Sequence, residues 1–172
     1  MKSALIALLA FCLCLPLMAD DAAKKKFEET KAKAERGDVV AQWSLGRLYI
    51  LGRGVEEDLK EAAKWIRKAA EQGYAEAQSY LGRMYEIGEG VLENYVTSYA
   101  WHNIAAANGS EVSKKQKDMI AKKMTPDQIA KAQELSREML EEIEANIAGK
   151  PKKPEFGAPR IDPLSGLPIN KL

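Results

Sequence analysis

Ala41, Leu45, Leu48 and Tyr49 fall at i, i+4, i+7 and i+8, the spacing of one buried helix face, and Ala77, Leu81, Met84 and Tyr85 repeat it. A first helix, A, is predicted from about Val39 to Leu51, entered at Asp38, whose carboxylate can accept from the free amides of the first turn. Gly52 and Gly88 are placed to end helix A in the left-handed conformation, and Gly54 and Gly90 to let the chain turn back. Asp58 and Asn94 are then N-caps of a second helix, B, and Asp58 with Glu61 three residues on resembles a capping box. Leu59, Ala62, Ala63, Ile66, Ala69 and Ala70 give helix B a face of mostly small residues, which favours close helix-on-helix contact. Gly46 and Gly82 run against helix propensity at about 1 kcal/mol each, so their recurrence marks a place where another helix comes too near for a Cβ.

The pattern is a repeat of 36 residues, with Gly37, Gly73 and Gly109 one period apart and 14 positions of 37–72 recurring identically in 73–108. Units of this length cannot bury their apolar face alone and therefore stack into a solenoid. The run Gly-x-x-x-Ala-Gln-x-x-Leu-Gly-x-x-Tyr-x-x-Gly-x-Gly-Val, then a charged loop and Trp-x-x-x-Ala-Ala, resembles the Sel-one-like repeat (SLR) family, relatives of the tetratricopeptide repeats. The resemblance covers 37–109, and the Met124 to Leu135 stretch looks like the helix that often closes bacterial members. It implies an all-α, right-handed solenoid of antiparallel helix pairs acting as an interaction scaffold.

The flanks read as caps and extensions. Residues 20–36 form an N-terminal capping helix, with Phe27, Ala32 and Ala34 as apolar points, in the place of a preceding B helix. The repeats occupy 37–72 and 73–108. Residues 109–149 are divergent: Glu111 to Lys123 forms one helix, and Thr125, Pro126 and Gln128 open a longer one through a Thr-x-x-Gln capping box. Its buried face is Ile129, Ala132, Leu135, Met139, Leu140 and Ile143, expected to shield the end of the stack. Five of the seven prolines fall in 150–172, which reads as a disordered tail or as an extended docking segment carrying Phe156, Ile161, Leu164, Leu167 and Ile169.

Composition adds a compartment. Lys2, the apolar run from Ala4 to Leu17, and Leu17-Met18-Ala19 read as a secretory signal over 1–19 with cleavage after Ala19, so the expected location is periplasmic or secreted. Both cysteines, Cys12 and Cys14, lie in that segment, which leaves the mature chain without the disulfides that staple some secreted members of the family. Loss of Lys2 balances 25 basic against 25 acidic side chains, which leaves no bulk footprint for nucleic acid or stable membrane insertion.

Catalytic chemistry is thinly represented. With one histidine, His102, there is no two-histidine metal site, and its place beside Trp101 on a recurring helix reads as structural. The serines form no Ser-x-x-Lys and no Gly-x-Ser-x-Gly. The Gly-x-Gly pairs follow helices and are turns, and Asn108-Gly109-Ser110, although a sequon, sits at one. The lysines of 114–117 and 122–123 read as a solvated helix face. Catalytic residues, metal and cofactor are therefore none.

What remains is a recognition surface. Trp43, Arg47 and Ile50 lie within about 60° of one another on the wheel, opposite the Ala41 face. The matching positions Ser79, Arg83 and Glu86 keep the arginine and vary around it, and Tyr80 and Asn103 are further candidates. The alternative is that the helix of 24–36 covers Trp43 and Ile50. The expected partner is a protein or peptide held in the groove of the A helices, which fits a regulator of an envelope enzyme or assembly. An immunity protein blocking a toxin delivered into the periplasm, and a protein that binds or hydrolyses cell-wall glycan, are the alternatives.

Overall fold

The computed structural model describes residues 21–149, so the segment read as a secretory signal and the proline-rich tail, with the readings placed on them, lie outside the described residues. Among those residues there are seven helices and no strand. They are α1 (21–35), α2 (Val39–Leu51), α3 (Leu59–Glu71), α4 (Ala75–Ile87), α5 (Tyr95–Ala107), α6 (Glu111–Ala121) and α7 (Pro126–Ile147). The pairs α2/α3 and α4/α5 are the two repeats, and α3 packs on α4 to join them. Several helix ends use side-chain and backbone devices visible in the sequence, although α4 opens at Tyr74 without a side-chain cap. Asp38 accepts from the Ala41 amide and Asn94 from the Thr97 amide, while Gly52 and Gly88 close α2 and α4 in the left-handed conformation. No described helix is long and apolar enough to cross a membrane.

A polar staple recurs with the period. Buried Gln42 donates to the Ala34 carbonyl at 3.2 Å and accepts from Gln72 at 2.7 Å. Gln78, one period on, donates to the Ala70 carbonyl at 3.1 Å and accepts from Asn108 at 2.9 Å. Because Ala34 and Ala70 are themselves one period apart, α1 occupies the B-helix register of a preceding unit. Gly54 and Gly90 repeat the same point. A Cβ would lie 2.3 Å from the Ala23 carbonyl oxygen at Gly54 and 2.1 Å from that of Leu59 at Gly90. Phe27 and Ala34 of α1 are buried against Ala41 and Leu45, but Ala32, read as a further apolar point, is exposed.

Gly46 and Gly82 are contact points of the helix pairs. A Cβ on Gly46 would stand 2.5 Å from Ile66 Cγ1, and one on Gly82 would stand 2.9 Å from the His102 ring. Ile66 and His102 correspond across the repeats, so the close approach is inherited while its filler changes. The main core joins Ala63, Ile66 and Ala70 of α3, Leu81 and Met84 of α4, Trp101 and Ile104 of α5, and Met139 and Ile143 of α7. Each fully buried Leu or Ile in it contributes about 2 kcal/mol of transfer free energy.

Two sequence expectations change. Asp58 caps α3 by accepting from Lys60 and Glu61, but the Glu61 carboxylate turns outward to Lys64 and the box is not closed. The box at Thr125 and Gln128 is complete. Helix α7 does more than shield the end of the stack. It packs along α5 and reaches α3, bringing Ile143 and Ile147 over the Gly73 turn. The cause lies in α6. Where the repeats have Gln42/Gly46 and Gln78/Gly82, α6 has exposed Lys114 and Asp118, a face against which no apolar helix can be buried.

Candidate functional site

The A helices carry a ladder of alternating cations and rings. Arg47 Cζ lies 5.9 Å from the centre of the Trp43 ring on the same helix. Trp43 meets Tyr80 of α4 edge-on at 5.5 Å between ring centres, and Tyr74 at 6.2 Å. Arg83 Cζ in turn lies 5.2 Å from the Tyr80 ring. The order Arg47, Trp43, Tyr80, Arg83 therefore runs from one repeat into the next. Each cation-ring contact at an exposed site is worth about 0.5–1 kcal/mol, and the aromatic pair about 0.5–1.5 kcal/mol. These contacts hold the side chains in place before any partner arrives, which lowers the entropy cost of binding. Both arginines remain exposed, while Trp43 and Tyr80 are half-buried.

The stripe opposite the Ala41 face has a packing role that the sequence did not assign. Trp43 and Ile50 pack against the main core, and it is α4, rather than the helix of 24–36, that lies on Trp43. Helix α2 is apolar on two opposed sides because one meets α1 and the other the next repeat. Glu86 and Asn103 leave the recognition surface. Glu86 accepts from Gln116 at 2.7 Å and pairs with Lys123 at 3.3 Å, which clasps α4 to α6 and leaves its side chain 10% exposed. Asn103 donates to Ser136 at 3.0 Å and accepts from Lys117 at 3.2 Å, tying α5 to α7 and α6. Among the lysines read as a solvated face, Lys117 and Lys123 lie over Tyr99 and Tyr95.

His102 is buried, with its Nδ1 3.3 Å from Ser113 Oγ, and Ser113 donates to Ser79 at 2.8 Å. Its Nε2 is buried without a partner, against Gly82. With the Ser113 proton directed at Ser79, the ring's own proton belongs on Nδ1 and Nε2 is a bare lone pair. Burial lowers its pKa to about 4, against a smaller upward pull from Glu86. A neutral imidazole enclosed in this way serves packing. Its serine partners come from α4 and α6, contacts that only the folded chain supplies.

Two clefts lie away from the ladder. One of about 480 Å³ runs between Glu35, Gln42, Lys68 and Asn146, and one of about 140 Å³ between Arg67, Tyr85, Trp101 and Met139. The first is polar and open, and the second is too small for more than a side chain.

Residues 39–74 and 75–110 each match the model of the Sel1 repeat. Among solved structures, the chain is similar to a protective antigen present in uropathogenic Escherichia coli strains that displays an SLR fold. The two are 34% identical with a TM-score of 0.66, over 78% of this chain and 30% of that one. It is also similar to a Sel1 repeat protein from Oxalobacter formigenes, at 33% identity and a TM-score of 0.55, over 56% of this chain and 40% of that one. The chain thus spans less than half the length of either. No curated protein sequence matches it. Proteins of this kind typically act as protein-protein interaction scaffolds and are typically not enzymes. The 36-residue period, the paired helices and both matched units agree: the chain carries two Sel1 repeats, and its fold is similar to that of SLR proteins.

Proposed function

We propose that this chain is a periplasmic or secreted scaffold that binds a protein or peptide through the ladder Arg47, Trp43, Tyr80 and Arg83, with no chemistry of its own. The ladder carries the reading. Two half-buried aromatic rings give anchors of the kind that dominate interface energies, and two exposed guanidiniums add direction. The location is supported by the apolar segment from Ala4 to Leu17 and the small residue Ala19.

The test is an affinity capture from envelope extract with the wild-type chain and with Trp43→Ala/Arg47→Glu, both verified as folded by circular dichroism. One partner should be retained by wild type and lost by the variant. Equal capture by the two would move recognition away from the ladder. Mass spectrometry of the exported chain should show an N-terminus at Asp20, and an uncleaved chain in the cytoplasm would refute the location.

A further inference from the structure

We infer that the occupant of this surface is an acidic segment with apolar side chains between its carboxylates. This deepens the scaffold reading and rests on it. The argument starts from two rows that the repeat places in register. Arg47 and Arg83 correspond across the period, and so do Leu51 and Ile87, each one helical turn beyond its arginine. Leu51 and Ile87 are each 54% exposed, and Arg83 has 54% of its side chain in solvent. Each repeat therefore presents the same pair, a cation and an aliphatic side chain four residues apart on one helix face.

Helix α6 and the turn that follows it extend the surface with the opposite order. Met119, 48% exposed, stands in the arginine place, and Lys123 in the aliphatic place. Lys115 and Lys122 are exposed beside it. The acidic groups on this side are largely committed or peripheral. Glu86 is held by Gln116 and Lys123, Glu89 lies 3.6 Å from Arg83, and Glu76 sits in the first turn of α4. An occupant must then bring its own carboxylates to Arg47, Arg83 and the α6 lysines, and its own apolar groups to Leu51, Ile87 and the ring edges. Guanidinium favours carboxylate for its matched fork geometry, and the loose 3.6 Å approach of Glu89 to Arg83 leaves room for a better-placed carboxylate. A basic segment would meet the like charge of Arg47, Arg83, Lys115 and Lys122, with exposed Asp118 and Glu76 at the side.

The probe is a displayed library of random dodecapeptides, selected on the full wild-type chain and on Arg47→Glu/Arg83→Glu. Wild type should enrich peptides rich in Asp and Glu with interspersed Leu, Ile or aromatics. Their binding should weaken at least tenfold on charge reversal and fall steeply between 50 and 500 mM salt. The reversed variant should enrich lysine- and arginine-rich peptides instead. If wild type enriches peptides without acidic excess, and Trp43→Ala abolishes their binding, the acidic specificity is overturned and the scaffold reading survives. If no enriched peptide depends on Trp43, Arg47 or Arg83, both are overturned. Because charge reversal changes only exposed side chains, a circular dichroism melt matching wild type separates loss of recognition from loss of fold.

Discussion

Lowering the pH should destabilise this protein through one residue, His102. The ordinary histidine pKa is about 6.5, and burial lowers that of His102 to about 4. Between those values the unfolded chain binds a proton that the folded chain refuses. Unfolding takes up that proton, so stability falls as pH falls through this window and is fully present above pH 6.5. Each pKa unit corresponds to about 1.4 kcal/mol, so the loss between pH 7 and pH 4 is on the order of 3 kcal/mol. That is a large part of the stability of a small domain. Carboxylates also titrate in this range, so the comparison is with His102→Ile, which installs the residue that already packs on Gly46 one repeat earlier. Urea unfolding of both proteins from pH 4 to pH 8 gives the difference in stability at each pH. The variant should gain about 3 kcal/mol relative to wild type as the pH drops, and the NMR titration of the single histidine should stay flat above pH 5. A difference that is constant within about 0.5 kcal/mol, or an imidazole titrating near 6.5, would refute the reasoning.

Gly46→Ala gains about 1 kcal/mol of helix propensity but places a methyl 2.5 Å from Ile66 Cγ1 and 3.1 Å from the Ala62 carbonyl. A net loss of about 1–2 kcal/mol is expected from overpacking, and a double-mutant cycle with Ile66→Ala should show favourable coupling of at least about 1 kcal/mol. Independent effects would sink the contact. Gly90→Ala should cost more than Gly109→Ala in thermal melts. Both have positive φ, +69° and +91°, but only Gly90 faces a backbone oxygen at 2.1 Å, whereas Gly109 has open space. Gln78→Ala removes two hydrogen bonds between the repeats from a buried position, although the Ala70 carbonyl keeps the Gly73 amide and exposed Asn108 turns to water, and should cost about 1–2 kcal/mol in urea unfolding. A loss below about 0.5 kcal/mol would show that the staple between repeats is idle.

The sequence by itself determined what depends on neighbours along the chain. The period, the helix limits and the caps at Asp38, Asn94 and Thr125 are local matters of spacing and of amides needing acceptors within one turn. The close approach at Gly46 and Gly82 was legible too, because a propensity cost repeated at the same register needs a packing reason. The four ladder residues were candidates from sequence as well: Arg47 and Arg83 recur, Trp43 shares their face, and Tyr80 stood beside them, while their mutual contacts were not legible.

Tertiary structure decided which of those residues remain available. Glu86 lay on the predicted surface by helical periodicity, but the clasp that removes it comes from Gln116 and Lys123, 30 and 37 residues away. Tyr80 joined Trp43 only because α4 packs beside α2. The path of α7 was likewise beyond periodicity. Its apolar face is legible in sequence, but the partner of that face depends on Lys114 and Asp118 closing α6 to it, which leaves burial against α5 and α3 as the favourable alternative. A wheel gives the direction of a side chain, whereas burial depends on what the rest of the chain brings to meet it.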